Sequence, residues 1–221
     1  MKSMLRKSAN LITKHNIIEK DDKILIGFSG GKDSVIMTHI LKTLQKNAPF
    51  DFKLTLFHFN PVNNKIEHII STFEIPFVVQ NVDITKFIKI QKNICPLCSR
   101  IRRGIITKYA LENKFNKVAL GHHLDDVIET YYLNQFFNAK QFTIKPVYTA
   151  ENGIKIIRPL HSITEQEIKE YIEKNNINIF HESCPFGNLQ NNQRQTIKNM
   201  LLKFTKEMKY NIYHSIENLF L

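Results

Sequence analysis

The run Gly27-Phe-Ser-Gly-Gly-Lys-Asp-Ser-Val35 constrains the fold more than any other stretch of the chain. It continues the apolar segment Lys23-Ile-Leu-Ile-Gly-Phe28, which has the composition of a buried strand. It then enters apolar residues at helical spacing that continue to about Lys46. A strand, two glycines and a helix in succession make a turn whose backbone N–H groups can face an anion at a helix N-terminus, so the expected guest is a phosphate. The Walker pattern needs four residues between its glycines and a Ser or Thr directly after the lysine, and this loop has neither. The dinucleotide fingerprint is absent as well. A glycine turn with Ser and Asp capping the helix is the purely structural alternative.

Around this loop the chain alternates strand-like and helix-like segments. Residues 3–19 carry Leu5, Ala9, Ile12 and Ile17 on one helical face. Phe52–His58, Pro76–Val79 and Lys117–Leu120 read as strands, and residues 64–73, 99–114 and 125–137 as helices. The pattern predicts an α/β fold, a parallel sheet with helices on both faces, whose ligands sit at the carboxyl ends of the strands. Beyond residue 140 a strand pair around 142–157, a bend at Arg158-Pro159-Leu160, a helix over Thr164–Asn175 and terminal helices from Asn192 are expected. The organisation predicted is an N-terminal helix (1–22), a sheet domain that carries the glycine loop (23–160) and a small helical C-terminal extension (161–221) packed on it.

A formal charge of +11, from 31 Lys and Arg against 20 Asp and Glu, favours partners that carry phosphates, although a lysine-rich composition also serves solubility. No stretch approaches the roughly 18 apolar residues of a membrane span, and the basic start lacks the unbroken apolar centre of a secretory signal. A cytoplasmic, non-membrane protein is expected. The three cysteines are Cys95, Cys98 and Cys184. Cys95-Pro-Leu-Cys98 suits metal or redox chemistry better than a disulfide framework. Structural zinc would need a histidine to complete four ligands, whereas three thiolates on an iron–sulfur cluster leave one iron open. Gly121-His-His-Leu-Asp-Asp126 leaves a strand and opens a helix, placing two imidazoles and two carboxylates at the same sheet edge; plain helix capping by Asp125 or Asp126 is the alternative.

SGGKDS after a first strand resembles the PP-loop of the ATP pyrophosphatase families. That resemblance implies an ATP site of Ser29, Gly30, Gly31, Lys32, Asp33, Ser34, Phe59 and Gly121, with Lys32 offsetting phosphate charge and Asp33 helping to hold Mg²⁺. A narrower resemblance rests on CPLCSRIRRG (95–104), VALGHHLDD (118–126), IRPL (157–160) and NQRQ (192–195), which follow the order and approximate spacing of the tRNA 2-thiocytidine synthetase family. It implies a 4Fe-4S cluster held by Cys95, Cys98 and Cys184, catalytic roles for Lys32, Asp33, His122 and Asp125, and nucleotide, metal or base positioning by Asp126. Arg100, Arg102, Arg103, Arg194 and Lys198, with Lys203 beside them, are the implied tRNA contacts; an ordinary solvated helix face is their alternative.

The implied partners are tRNA and a sulfide or persulfide donor such as a cysteine desulfurase system; a homodimer is compatible. The chain departs from the family where Cys184-Pro-Phe-Gly187 replaces a second Cys-x-x-Cys, where the connection from Phe59 to Pro76 is short, and where Leu124 replaces an Arg frequent in relatives. Lysidine synthetases and thiouridine synthetases share the loop and compete with this reading. A non-catalytic nucleotide- or RNA-binding module is the rival of a different class.

Overall fold

The computed structural model describes residues 1–60, 66–82, 94–180 and 192–220, with the backbone alone described at Ile94–Cys98 and Asn192. Among these residues the strands are β1 Lys23–Gly27, β2 Lys53–Asn60, β3 Phe77–Asn81, β4 Lys117–Ala119, β5 Val147–Thr149 and β6 Lys155–Ile157. They form one sheet in the order β3-β2-β1-β4-β6-β5. All neighbours run parallel except β5, an antiparallel edge strand beside β6. The helices are α1 Lys2–Lys14, α2 Lys32–Asn47, α3 Glu67–Ser71, α4 Ile94–Glu112, α5 Leu124–Asn138, α6 Glu165–Lys174, α7 Asn192–Leu201 and α8 Lys206–Ser215, followed by a 3₁₀ turn at Glu217–Phe220. The mostly parallel α/β architecture expected from the sequence is the one observed.

Alternation along β1 explains the layering. Ile24 and Ile26 face a core shared with Leu11 of α1, Ile36 and Ile40 of α2 and Ile168 of α6. Leu25 faces the opposite core, with Phe57 of β2, Val118 of β4 and Ile106 and Ala110 of α4. A central parallel strand covered on both sides needs apolar residues at successive positions, and each one fully buried contributes about 1.5–3 kcal/mol. A third core joins Leu124, Val127 and Ile128 of α5 to Ile197 and Leu201 of α7 and Tyr213 of α8, so the C-terminal helices pack against α5.

The end of α1 and the start of α4 differ from the sequence reading, each for a local reason. α1 stops at Lys14 because Asn16 turns left-handed (φ 47°) and the Ile17 N–H closes back onto the Ile12 carbonyl at 2.9 Å, a C-terminal cap that sends Ile17 into the core. α4 starts at Ile94, before the cysteine pair, whereas the sequence reading began it at 99. Pro96 is compatible with this start because N–H groups in the first turn of a helix have no intrahelical acceptor to lose.

From β1 the chain builds outward through β2 to β3, then returns to lay β4 on the other side of β1. This reversal opens a crevice at the carboxyl ends of β1 and β4, the place where open α/β sheets bind ligands. At the far end of the same two strands, the Lys117 ammonium is 1% exposed and bonds to Asp22 at 2.7 Å and Glu19 at 2.9 Å. Asn116 donates to the second Asp22 oxygen at 2.6 Å.

Candidate active site

The loop after β1 is shaped by what surrounds Gly30. Its φ is +82°, and a Cβ there would lie 2.7 Å from both Ile66 Cδ1 and Phe180 Cβ, so no side chain fits. The Phe180 N–H donates to the Gly30 carbonyl at 2.8 Å. Ser34 braces the turn from inside: its hydroxyl donates to the Gly31 carbonyl at 2.9 Å and accepts from the Ser29 N–H at 3.2 Å. Gly31 is the N-cap of α2, and a Cβ there would meet only the Ser29 hydroxyl at 3.4 Å. The first N–H groups of α2 therefore open beside a space that a side chain would fill, which suits a phosphate oxygen.

The second motif leaves β4 directly alongside. A Cβ on Gly121 would touch the Asp33 backbone at 3.4 Å, so the two loops are in van der Waals contact. His123 caps α5, its N–H donating to Asp126 Oδ2 at 2.9 Å, and its Nε2 lies 3.9 Å from Asp33 Oδ1. Asp125 accepts the Glu165 N–H at 2.6 Å and pairs with Lys209 at 2.6 Å, so it ties α5 to the start of α6 and to α8. The Lys32 ammonium is held by Asp33 at 2.8 Å and Glu165 at 3.1 Å. Burial works against that ammonium, but the two carboxylates outweigh it and raise its pKa. Glu165 is likewise pushed up by burial, yet Lys32 and Lys169 bring it down to about 2. A triphosphate entering the loop would thus meet a lysine already charged and held at its mouth.

A cavity of about 210 Å³ lies between these loops and α4. Its lining joins Ser29 of the glycine loop, Phe59 of β2, His122 of the second motif and Ser99, Arg102 and Arg103 of α4. The Arg102 guanidinium sits 5.3 Å from the Phe59 ring centroid. His122 accepts from the Arg158 Nε–H at 3.4 Å, and burial together with the Arg158 charge holds its pKa at about 4. Arg158 is itself 5% exposed, with its guanidinium 5.1 Å from the Tyr148 ring.

Ser29, Gly30, Gly31, Lys32, Asp33 and Ser34 form the loop at the crevice, with Gly121 packed against it and Phe59 and His122 in the adjoining cavity. Asp125 and Asp126 stand at the start of α5, engaged as described. Cys95 and Cys98 occupy the opening turn of α4, and Cys95 precedes the cavity-lining Ser99 by one helical turn. Cys184 lies outside the described residues, and among those described no group of three His, Cys, Asp or Glu side chains could hold a metal. Arg102 and Arg103 reach the cavity; Arg100, Lys198 and Lys203 are exposed. Arg194 is half exposed, with its Nε–H on the buried Glu129. Sequence reasoning missed Glu165 and Phe180, and gave no separate role to His123 of the second motif or to Arg158 of IRPL. Thr164-x-x-Glu167 forms a capping box that marks the start of α6 and so signals Glu165 in its first turn, but nothing local ties that residue to Lys32. No described helix is long and apolar enough to cross a membrane.

A glycine cradle at the switch point of such a sheet, with a second loop packed against it, defines a PP-loop protein, and the PP-loop domain model matches residues 1–205. The tRNA-cytidine(32) 2-sulfurtransferase of Janthinobacterium sp. (strain Marseille) is 37% identical over 217 residues, covering 93% of this chain and 68% of that protein. The enzyme of the same name from Herminiimonas arsenicoxydans is 38% identical over the same length, with the same shares covered. The chain belongs to this PP-loop family of tRNA 2-thiocytidine synthetases. The fold is also that of a U34-tRNA thiolase from Methanococcus maripaludis, solved with its 4Fe-4S cluster, at a TM-score of 0.82 and 24% identity over 99% of this chain and 79% of that one.

Proposed function

We propose that the protein is an ATP-dependent tRNA thiolase that replaces the C2 oxygen of a cytidine, position 32 of the anticodon loop, with sulfur. The observation that carries this reading is the shared cavity: the phosphate loop, His122 and the helix that bears Cys95 and Cys98 all border one space. The relatives named above act on that nucleotide.

In the proposed reaction ATP lies with its β and γ phosphates against Ser29–Ser34, and Lys32 exchanges Glu165 for a phosphate oxygen. Asp33 would hold Mg²⁺, a hard cation suited to carboxylate oxygen, which supplies charge neutralisation on the phosphates. The base oxygen attacks the α-phosphorus, the bond to pyrophosphate breaks, and the oxygen becomes part of an AMP leaving group. Sulfide then attacks C2, and AMP departs with the former base oxygen. The work of the chain is positioning and charge compensation in a site that excludes water from the adenylated base.

Cys95, Cys98 and Cys184 would hold the 4Fe-4S cluster. Cys95 and Cys98 are one turn apart along the α4 backbone, a spacing compatible with neighbouring irons, and Cys184 follows Phe180 by four residues, a chain reach of at most about 14 Å. When bound, the cluster supplies an iron without a protein ligand that can carry sulfide. Arg100, Arg102, Arg103, Arg194, Lys198 and Lys203 are assigned to the RNA, and a sulfide or persulfide donor completes the system. A cytoplasmic enzyme that works as a monomer or homodimer fits this role.

Mass spectrometry of tRNA nucleosides from cells with and without the gene tests the proposal. Loss of 2-thiocytidine on deletion, restored by the wild-type chain and not by Cys95→Ser, is expected. Unchanged 2-thiocytidine would refute it.

A further inference from the structure

We infer that Arg158 locks His122 as a neutral imidazole carrying its proton on Nε2, and that this N–H reads an acceptor atom of the nucleobase entering the cavity. The substrate half of this inference rests on the thiolase reading; the tautomer half stands without it.

The Arg158 Nε–H is directed at His122 Nδ1 at 3.4 Å. A guanidinium is a donor only, so a proton on Nδ1 would set two N–H groups against each other beside a positive charge. Nδ1 must therefore keep its lone pair, and a neutral ring then carries its hydrogen on Nε2. Arg158 has little freedom to yield. It is buried, a second donor of its guanidinium bonds to the Lys145 carbonyl, and its plane lies near the Tyr148 ring. The other charged or titratable groups around the ring are Arg103 of α4, which adds to the pressure against a second proton, and Asp126 and His123 of α5. The carboxylate of Asp126 favours protonation, but burial and the two guanidiniums outweigh it.

The consequence is a change of role. A histidine in a cavity beside a phosphate loop invites assignment as a general base. A ring whose Nδ1 is occupied by an arginine and whose Nε2 bears hydrogen can only donate from the side left free. His122 lines a space that joins apolar and aromatic walls, among them Phe28, Phe57 and Leu120, with the polar side chains of Ser29, Ser99, Arg102 and Arg103. The apolar walls accept a flat ring, and a donor locked in one tautomer favours an acceptor atom on the ring edge that meets it. Cytosine presents acceptors at O2 and N3, whereas uracil carries a hydrogen on N3. Directed at N3, a donor at Nε2 is complementary to cytosine and sets a hydrogen against a hydrogen in uracil, whereas O2 accepts in both bases. His122 becomes a specificity-determining residue, and Arg158 a positioning residue that acts through it.

The test is long-range ¹H–¹⁵N correlation of the histidine side chains in the full-length protein at pH 7, with His122 assigned by His122→Gln. The expected spectrum has the Nε2–H pattern for His122, unchanged between pH 6 and 8. A ring that is protonated, or that carries its hydrogen on Nδ1, overturns the inference. Arg158→Met should release the ring into mixed tautomers with titration moving back towards neutral pH. If that variant does not fold, the wild-type spectrum alone still decides the tautomer. The base-reading half is tested by adding an anticodon stem-loop RNA with cytidine at position 32: the Nε2–H resonance should move, and should move less with uridine there. Equal responses, or none, would overturn base reading by His122 while leaving the nucleoside analysis of thiolation untouched.

Discussion

Replacing Gly30 and Gly31 one at a time by alanine separates what the loop needs to fold from what it needs to bind. At Gly30 the new methyl group meets two penalties. The backbone is left-handed, a conformation that costs an L-residue about 1–2 kcal/mol. In addition, the Cβ would lie 2.7 Å from Ile66 Cδ1 and from Phe180 Cβ, an overlap that forces neighbours to shift at about 1–3 kcal/mol. Together these give roughly 2–5 kcal/mol, which for a chain of this size lowers the melting temperature by about 4–20 °C. Gly31 differs: a Cβ there meets only the Ser29 hydroxyl at 3.4 Å, so its alanine variant should melt within about 2 °C of wild type. The same methyl group occupies space beside the first N–H groups of α2, and losing one hydrogen bond to a charged phosphate, about 1.5–3 kcal/mol, weakens ATP binding tenfold or more. Thermal denaturation and calorimetric titration with ATP on both variants distinguish the effects. If Gly30→Ala is as stable as wild type, or Gly31→Ala binds ATP normally, the account of the cradle is wrong.

Four further outcomes are expected. Asp22→Ala leaves the buried Lys117 ammonium without its nearest partner and should cost about 3–5 kcal/mol by urea denaturation, with Asp22→Leu/Lys117→Met together losing less. Glu167 is pushed up by burial, but bonds from Lys7, the Thr164 backbone, Tyr210 and Lys206 hold it near 2. Its contribution is therefore present above the usual glutamate range and lost as pH falls from about 4.5 towards 2, and Glu167→Gln should flatten stability measured across that window. Arg100→Ala and Lys198→Ala should each lower the slope of log affinity for RNA against log salt by about 0.7–0.9 without altering the melting temperature; an unchanged slope removes that residue from the RNA contact. Arg194→Ala, by contrast, should also lower the melting temperature, because it strips the buried Glu129 of its partner.

How much of this was legible in the sequence follows from the range of each interaction. The strand, loop and helix around SGGKDS are local, set by apolar periodicity and glycine, and could be read in place. So could GHHLDD, since a motif leaving a strand of a parallel sheet must emerge at the ligand edge. The start of α4 falls at Ile94 rather than at 99, and Pro96 sits in its first turn, where a helix tolerates proline. Glu165 on Lys32, Arg158 on His122 and Phe180 on Gly30 were invisible for a different reason. Each joins residues far apart in the chain, and each partner is an ordinary residue type whose role exists only once the sheet order has been set.

The helices α2, α5 and α6 all begin around Lys32. Gly121 packs the approach to α5 against the first turn of α2, and Asp125 draws in the opening N–H of α6 beside it. Each such terminus carries about half a positive charge from its aligned peptide groups. That potential belongs to the main chain, so neither titration nor exchange of any one side chain removes it. A protein stripped of its loop lysine should still concentrate polyanions at this rim, and such residual attraction would report on architecture alone.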